Sequence, residues 1–327
     1  DGTLDRTRAG RFRTFTTGPQ SFTVAFGGCA RVGSSGAVFD AIRALDPALF
    51  VILGDWHYGN IDEDDPDAFR EVADIALEAA GPSALYRSTP VAYVWDDHDY
   101  GGNNADSTSP SRDAAMLVYR QYVPHYPLAG EDTPIHQAFT IGRVRFVVTD
   151  ARSARDPAGE RDDADKTMLG VEQREWLERE LLAARDTAAL TVWVNPVPWV
   201  EEPEDGADAW GGYSTERRAI ADFIAANDID NLVMVSGDAH MVAIDDGSNT
   251  DYATNGGASF PLLHAAPLDR RGRKKGGPYS EGAIARGGQF GVIEVTDSGG
   301  EISVRLTARD WRGRTLLEHS FTMPGAA

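Results

Sequence analysis

Side chains that can bind metal ions follow four apolar segments of the sequence, each at the point where the segment ends. The four segments are followed by Cys29, by Asp55, by Asp96-Asp97-His98-Asp99 and by Asp238-Ala239-His240, and Tyr58 comes three residues after Asp55. A cluster of thiol, carboxylate and imidazole groups at the end of strands is typical of a metal site. The pattern therefore predicts six metal ligands: Cys29, Asp55, Tyr58, Asp97, Asp238 and His240.

These side chains are suited to two different cations. The thiolate of Cys29 and the phenolate of Tyr58 stabilise a trivalent ion such as Fe(III), whereas aspartate and imidazole suit a divalent ion. Two metals about 3.5–4 Å apart would clamp a phosphoryl group and lower the pKa of a water between them. We therefore predict phosphate-ester hydrolysis with Asp55 and His98 as catalytic residues. His98 would protonate the leaving oxygen.

The four apolar segments are predicted to be buried strands. They are Phe22–Phe26, Leu49–Leu53, Val91–Trp95 and Leu232–Val235. Continuous apolar runs of this length indicate a sheet covered on both faces, and a parallel sheet would bring the four ends to one edge. Each residue also has a simpler interpretation, since Gly54-Asp55 is a common turn pair and a lone cysteine is usually a small core residue. The coincidence at four strand ends favours a site.

Helical and strand patterns alternate as far as Gly237, and the chain is strand-rich after Met241. This order predicts an α/β fold of two packed sheets with helices outside. The period-two pattern of Arg11–Thr16 predicts a strand. Residues 1–20 would then be a terminal strand or linker, or the remnant of an N-terminal β domain, and residues 21–327 would form the catalytic domain.

Two loops are predicted to carry substrate-binding residues. The polar loop 101–111 directly follows the Asp-Asp-His-Asp cluster and contains Asn104, and loops in that position commonly carry function. A second loop, 151–166, begins with Arg152 and Arg155, which could meet an anion. We predict substrate contacts from Asn104 and Arg152. The roles of His57 and Asn195 stay open.

Composition excludes several classes of protein. The 327 residues are 42% hydrophobic and carry a formal net charge of −20, which argues against a general nucleic-acid-binding surface. One cysteine allows no intrachain disulfide. No apolar run approaches the roughly 20 residues of a membrane span, and no signal peptide is present in the sequence. The predicted partner is a small phosphate ester, and the oligomeric state stays open.

The ordered motifs resemble the PhoD-like alkaline phosphatase D family of the calcineurin-like metallophosphatase superfamily. Besides Cys29, the matching blocks are Gly54-Asp55-Trp56-His57-Tyr58, Trp95-Asp96-Asp97-His98-Asp99, Asp150-Ala151-Arg152-Ser153, Met168 to Leu177 and Ser236-Gly237-Asp238-Ala239-His240. The resemblance runs from about Phe22 to His240. It implies a four-layer α-β-β-α sandwich of two mixed sheets flanked by helices. It also implies a phosphoesterase that uses Fe(III) with a divalent metal, Ca²⁺ first and otherwise Zn²⁺, Mn²⁺ or Mg²⁺.

The same resemblance implies roles for individual residues. Cys29 and Tyr58 match iron ligands, Asp55 the bridging carboxylate and His98 the catalytic histidine. Three positions depart from the usual pattern: Asp97 stands in place of an asparagine, Asp238 in place of a histidine and Asp99 in place of a glutamate. Alternative functions are a phospholipase D-type phosphodiesterase and a catalytically silent binding module on the same fold. Because many members are exported, the resemblance implies an extracytoplasmic location.

Overall fold

The described part of the chain forms strands and helices in an alternating order. A computed structural model describes residues 9–130 and 132–324. Its strands are β1 (Phe22–Gly27), β2 (Leu49–Leu53), β3 (Val91–Val94), β4 (Gln137–Ile141), β5 (Val144–Val148), β6 (Leu190–Asn195), β7 (Leu232–Ser236), β8 (Val242–Asp245), β9 (Leu262–Ala265), β10 (Gly282–Ile284), β11 (Gln289–Asp297), β12 (Glu301–Asp310) and β13 (Thr315–Pro324). Its helices are α1 (Ala37–Ala44), α2 (Pro66–Glu78), α3 (Ala80–Tyr86), α4 (Asp97–Tyr100), α5 (Arg112–Tyr122), α6 (Val171–Thr187) and α7 (Ser214–Ala226).

The strands assemble into two mixed sheets. The first has the order β13-β12-β11-β1-β2-β3, and the second has the order β10-β8-β9-β7-β6-β5-β4. In the first sheet β1, β2 and β3 are mutually parallel, whereas β11 runs antiparallel to β1. In the second, β5, β6, β7 and β9 are parallel and β4 and β8 are antiparallel. The predicted fold, two mixed sheets flanked by helices, is confirmed.

Two hydrophobic cores hold these layers together. One includes the inner faces of both sheets, with Phe26, Phe50 and Val235 fully or almost fully buried. The other lies between the second sheet and the helices α6 and α7, where Trp193, Trp199 and Trp210 are wholly buried. Burial of this much apolar surface is the main favourable term of folding. It fixes the strand ends rigidly, which matters because polar residues follow them.

The observed starts of helices α2 and α6 agree with the starts predicted from the sequence. The Asp65 carboxylate accepts hydrogen bonds from the N–H groups of Asp67 and Ala68, at 3.0 and 3.1 Å. Pro66 then occupies the first turn of α2, as its fixed φ and missing donor allow. Helix α6 runs from Val171, as predicted, and ends two residues later than expected, at Thr187.

The strand predicted for Arg11–Thr16 is wrong. This segment pairs with no strand in the described ranges; an isolated bridge joins Thr17 to Gly142, and Arg11 donates its N–H to the Arg87 carbonyl at 2.8 Å. Phe12 is 77% exposed, so the alternating pattern buries no continuous apolar face. The boundary between residues 20 and 21 stays a prediction. No helix in the described residues is long and apolar enough to cross a bilayer.

Candidate metal centre

The centre is built on the carboxyl ends of three parallel strands in the first sheet. Gly28-Cys29 follows β1, Gly54-Asp55 follows β2, and Trp95-Asp96 follows β3 before α4 begins. Main-chain bonds join the first two ends: the Cys29 N–H donates to the Gly54 carbonyl at 3.3 Å, and the Ala30 N–H donates to the Asp55 carbonyl at 2.8 Å. Parallel pairing therefore brings the predicted ligands together.

The fourth strand end comes from the other sheet. Strand β7 carries Gly237 and Asp238 at its end, so the four ends do not share one sheet edge as expected. They meet instead where the two sheets pack against each other. A side chain at Gly237 would place its Cβ only 2.7 Å from the Leu53 carbonyl oxygen, which shows how closely β7 approaches β2.

Glycines at these ends permit the close approach. A Cβ at Gly28 would lie 2.7 Å from the Gly54 carbonyl oxygen, and one at Gly54 would lie 2.3 Å from the Asp96 Cβ. Only glycine fits such positions without moving backbone. The residues that follow are themselves unusual, because Cys29, Asp55 and Asp238 have φ values of 56°, 52° and 67°. Left-handed non-glycine residues are uncommon, and they cluster at functional sites.

Two overlapping groups of side chains have the spacing of metal ligands. In one, ligand atoms of Cys29, Asp55 and His240 all lie within 4.8 Å of one another; in the other, those of Asp55, Asp97 and His98 do. Asp55 belongs to both groups. Its side chain is 1% exposed, and its Oδ1 atom has no hydrogen-bond partner among the described residues. A buried carboxylate oxygen without a partner is costly, so the donor set fits bound cations.

The imidazole of His240 is oriented as a metal ligand would be. Its Nδ1 lies 3.0 Å from the Arg271 carbonyl oxygen, which can only accept, so Nδ1 carries the proton. Nε2 then offers its lone pair toward the Tyr58 hydroxyl, 2.9 Å away. Histidine ligands usually donate their second N–H to a carbonyl or carboxylate, and this contact fixes the ring.

His98 is oriented in the same way by an amide. The Asn60 Nδ2 donates to the Tyr58 carbonyl at 3.0 Å, so its Oδ1 faces the Nδ1 of His98 and accepts a hydrogen bond from it. His98 Nε2 lies 4.0 Å from Asp97 Oδ1. Burial lowers the pKa of His98, while the Asp97 carboxylate opposes that effect. The free Nε2 is therefore the atom that faces the candidate ligands.

Negative charge accumulates in this pocket. Burial raises the pKa of Asp55, and the neighbouring carboxylates of Asp97 and Asp96 raise it further. The pKa of Cys29 is raised for the same reasons, by burial and then by Asp55 and Asp238. Burial also raises the pKa of Tyr58, followed by the charges of Cys29 and Asp55. A bound cation reverses each of these effects, because it favours the ionised form of every ligand.

Asp238 lies beside the centre without joining either group. Its main-chain carbonyl accepts a hydrogen bond from the Cys29 Sγ at 3.3 Å, and its carboxylate pairs with the Lys275 ammonium at 2.8 Å. Burial opposes ionisation of Asp238, but Lys275 outweighs it and the pKa is lowered. Ligation by the Asp238 carboxylate stays a prediction.

The two arginines predicted to meet an anion are fully buried. Arg152 donates to Asp96 at 2.6 Å and to both oxygens of Asp208 at 3.0 and 2.9 Å. Arg155 pairs with Asp208 at 2.8 Å and donates to the Tyr213 hydroxyl at 2.8 Å. The structure thus does not bring Arg152 to the open cleft, and substrate contact by Arg152 stays a prediction. Asn104 does line the cleft, and its N–H donates to Asp97 at 2.7 Å.

The remaining polar residues of the motifs have local partners. The Asp99 carboxylate accepts from the N–H groups of Asp96 and Trp56 and from the Tyr93 hydroxyl, at 2.7, 2.9 and 2.6 Å. His57 accepts from the Gly59 N–H, and burial lowers the pKa of His57 to about 4. Asn195 donates to the Val197 carbonyl, and its buried Oδ1 has no partner in the described ranges.

A cleft of about 450 Å³ opens onto this centre. Arg273, Lys274 and Lys275 line one rim of the cleft, and they belong to a basic segment that the sequence analysis overlooked, which also contains Arg270 and Arg271. The Arg270 guanidinium lies 4.0 Å from the centre of the Tyr58 ring. The sequence did contain a signal for this segment, namely a dense run of positive charge in a chain with net charge −20.

The profile of the PhoD-like phosphatase family matches residues 24–314. The chain belongs to this family. Alkaline phosphatase D of Bacillus subtilis (strain 168) is 28% identical over 192 residues, which are 49% of this chain. That match spans 33% of the relative's length.

Solved structures share the fold of this PhoD-like chain. A structure described as PhoD superposes with a TM-score of 0.72 at 19% identity, covering 96% of this chain and 72% of that one. A dimetal phosphatase from Danio rerio superposes with a TM-score of 0.52 at 14% identity, covering 93% of this chain and 99% of that one. GAP50, described as the anchor in the inner membrane complex of Plasmodium, superposes with a TM-score of 0.55 at 15% identity, covering 93% of this chain and 89% of that one. At these identities the likeness shows the fold alone.

Proposed function

We propose that this chain is a metal-dependent phosphoesterase that hydrolyses phosphate mono- or diesters. The observation that carries the proposal is that Asp55 belongs to both groups of candidate ligands. A carboxylate shared in this way can hold two cations side by side and offset their repulsion. Membership of the PhoD-like phosphatase family supports the same reaction class.

The donor types divide between the two proposed cations. Cys29, Tyr58, Asp55 and His240 would hold Fe(III), and Asp55 and Asp97 would hold the divalent ion, Ca²⁺ or else Zn²⁺, Mn²⁺ or Mg²⁺. Asp238 would join them once its carboxylate is released from Lys275. When bound, the cations supply Lewis acidity, which lowers the pKa of a water and draws charge from the phosphoryl oxygens.

The protein's own side chains supply the proton. His98 donates from Nδ1 to Asn60, so a second proton would reside on Nε2, the atom that faces the candidate ligands. From there it can pass to the leaving oxygen, and Asp97 at 4.0 Å stabilises the imidazolium beforehand. Asn104 at the cleft wall would orient the ester, and this assignment rests on its position alone.

A catalytically silent binding module is the second candidate. It is favoured by one observation: Lys275 already neutralises the Asp238 carboxylate, a predicted ligand. GAP50, which is described as an anchor, has the same fold, so the fold does not by itself imply turnover. The two candidates differ in whether metal-loaded protein hydrolyses esters.

The test combines elemental analysis, visible absorption and turnover on one preparation. We expect iron plus one divalent metal, hydrolysis of p-nitrophenyl phosphate or bis(p-nitrophenyl) phosphate, and a phenolate-to-iron absorption band that Tyr58→Phe weakens or shifts. Tyr86→Phe removes the hydroxyl of a second half-buried tyrosine whose pKa is raised by burial, and this matched control should leave the band unchanged. Colourless, iron-free protein with full activity would overturn the iron assignment. Metal-loaded protein without turnover would favour the binding module.

We also propose an extracytoplasmic location and a small-molecule substrate, both supported by family membership. Fractionation of the source cells with an antibody to this chain tests the location. Recovery with cytoplasmic markers would contradict it.

A further inference from the structure

A basic segment forms one rim of the candidate active site. Five of the six residues 270–275 are arginine or lysine, although the chain carries a net charge of −20. The acidic remainder of the surface repels anions, so a local reversal of charge marks the place where an anion can be attracted. The position of the segment in the structure therefore indicates which anion it could attract.

Main-chain contacts hold this segment against the strand ends of the site. The Leu268 N–H donates to the Gly28 carbonyl at 2.8 Å, and the Arg273 N–H donates to the His240 carbonyl at 2.8 Å. The Arg271 carbonyl in turn fixes the His240 ring, as described above. Asp269 accepts from the N–H of Arg31, two residues beyond Cys29. The basic rim is thus a fixed part of the site.

The basic side chains fall into two sets. Lys275 pairs with Asp238, and the Arg270 guanidinium lies over the Tyr58 ring. Arg273 and Lys274, in contrast, line the cleft and are exposed, and within the described ranges no carboxylate lies at ion-pair distance from either. Two unpaired positive charges therefore face the cleft.

The cleft also has acidic lining residues. Glu201, Glu204 and Asp205 line it from the segment that follows β6, and this segment contacts the basic one through the Gly277 N–H, which donates to the Val200 carbonyl at 2.8 Å. A second anionic group on a bound ester would be repelled by these carboxylates and attracted by Arg273 and Lys274, so both charges act on its position.

We propose that Arg273 and Lys274 bind a second phosphate of the substrate. The proposed phosphoesterase then prefers esters that carry a further phosphate over esters whose remainder is neutral. This inference rests on the proposed function and names its substrate class. Neither side chain belongs to the candidate metal centre, so removing them leaves the ligands in place.

The test follows hydrolysis of the 5′-phosphate ester in two substrates, and loss of the 3′-phosphate is not counted. Adenosine 3′,5′-bisphosphate and adenosine 5′-monophosphate both present a 5′-phosphate, and they differ in the second phosphate. Removing Arg273 and Lys274 together, as R273Q/K274Q, should lower the bisphosphate-to-monophosphate ratio of kcat/KM about five- to twenty-fold, the range for one or two exposed charge contacts. Turnover of the monophosphate should change less than about two-fold, and high salt should weaken the wild-type preference.

The matched control is R87Q/R218Q, which removes two exposed arginines outside the cleft. Three results would overturn the inference and leave the proposed phosphoesterase function intact. They are an equal loss of preference in this control, a wild type that shows no preference, and an R273Q/K274Q variant that keeps the wild-type preference. If neither compound is hydrolysed, calorimetry with the same compounds decides the inference, and the proposed function is decided separately by the p-nitrophenyl esters. Tighter binding of the bisphosphate that depends on Arg273 and Lys274 supports it, and equal binding overturns it.

Discussion

Asp96 and Asp97 are adjacent, both buried, and surrounded in opposite ways. The Asp96 carboxylate accepts from Arg152, and Asp208 pairs with both Arg152 and Arg155, so two arginines face two carboxylates. Asp97 accepts only from the main-chain N–H groups of His98 and Asn104, and no arginine or lysine of the described part pairs with it. Its neighbour Asp55 is a second carboxylate.

This difference in charge pairing distinguishes the cluster around Arg152, which stabilises the fold, from the cluster around Asp55, which is proposed to bind metal. Burying a charge without a partner costs several kcal/mol, so a fold keeps one only when something outside the chain compensates it. In the Arg152 cluster two arginines balance two carboxylates, although the Asp96 Oδ2 accepts no hydrogen bond in the described ranges. No arginine or lysine of the described part pairs with Asp55 or Asp97, and the proposed cations would fill that role. The comparison therefore predicts which substitutions affect metal binding and which affect stability.

The largest expected effect is that of Asp55→Asn, which keeps the shape and removes the charge. We expect loss of one or both metals and a fall in turnover of about 10⁴-fold, since catalytic groups of this kind act as a unit. In metal-free protein the same change should raise Tm, because burial and nearby carboxylates disfavour the ionised form. Metal content, turnover and circular dichroism are measured together.

Asp40→Asn, at an exposed carboxylate paired with Arg43, is the control and should change neither quantity. Retention of both metals and wild-type turnover in Asp55→Asn would show that the uncompensated cluster is not the site.

Arg152→Met should act on stability instead. Removing the guanidinium leaves Asp96 buried without its partner and leaves Asp208 with Arg155 alone, which should lower the free energy of unfolding by about 3–5 kcal/mol. Arg179→Met, at an exposed pair 3.9 Å from Glu175, should cost about 0.5 kcal/mol or less. Urea unfolding measures both. Asp96→Asn in the Arg152→Met background should recover part of the loss, and a further loss would contradict this account.

A third buried ionisable group avoids the cost by staying neutral. His264 Nδ1 accepts from the Ser236 hydroxyl, its Nε2 donates to the Ala239 carbonyl, and burial lowers the pKa of His264 to about 4. Below pH 6.5 the unfolded chain binds a proton that the folded chain does not, so stability falls from pH 6.5 down to about pH 4. The full shift corresponds to about 3 kcal/mol.

Urea unfolding of wild type and His264→Gln at several pH values measures the contribution of His264 to the pH dependence of stability. The stability difference between the two proteins should shrink as pH falls from 6.5 to 4. A difference that is constant with pH would mean that His264 does not titrate as described.

His98→Ala gives the smallest of these effects. Loss of a proton donor should lower turnover of alkyl phosphates about 10²-fold, while aryl phosphates with good leaving groups are affected far less. Metal content should stay close to wild type. Loss of the divalent ion in this variant would instead show that His98 Nε2 is a ligand, as its grouping with Asp55 and Asp97 allows.

Strand ends were the most predictable part of the molecule. Apolar runs that end at glycine or aspartate predicted β1, β2 and β3, and parallel pairing then brought Cys29, Asp55 and Asp97 together. The placement of β7 in the second sheet could not be foreseen, because which strands pair is decided by contacts far apart in sequence. His240 still joins the centre, since the two sheets pack at that edge.

Charge pairing was the least predictable part. Arg152 reaches Asp208, and Asp238 reaches Lys275, across 56 and 37 residues of chain. No local pattern distinguishes an arginine that will meet a buried aspartate from one that will face a cleft. The basic rim was visible as composition, but its place beside the site depends on main-chain contacts with Gly28 and His240.

The interlocked glycines have a consequence for how such a centre can be altered. Gly28, Gly54 and Gly237 set the distances between the strand ends through backbone contacts, so the position of each donor does not depend on which donor it is. Exchanging Cys29 or His240 for another ligand type should therefore retune metal preference within an unchanged scaffold. A side chain at Gly237 would instead force the two sheets apart, and one at Gly28 or Gly54 would separate strand ends within the first sheet, so each would report on folding alone.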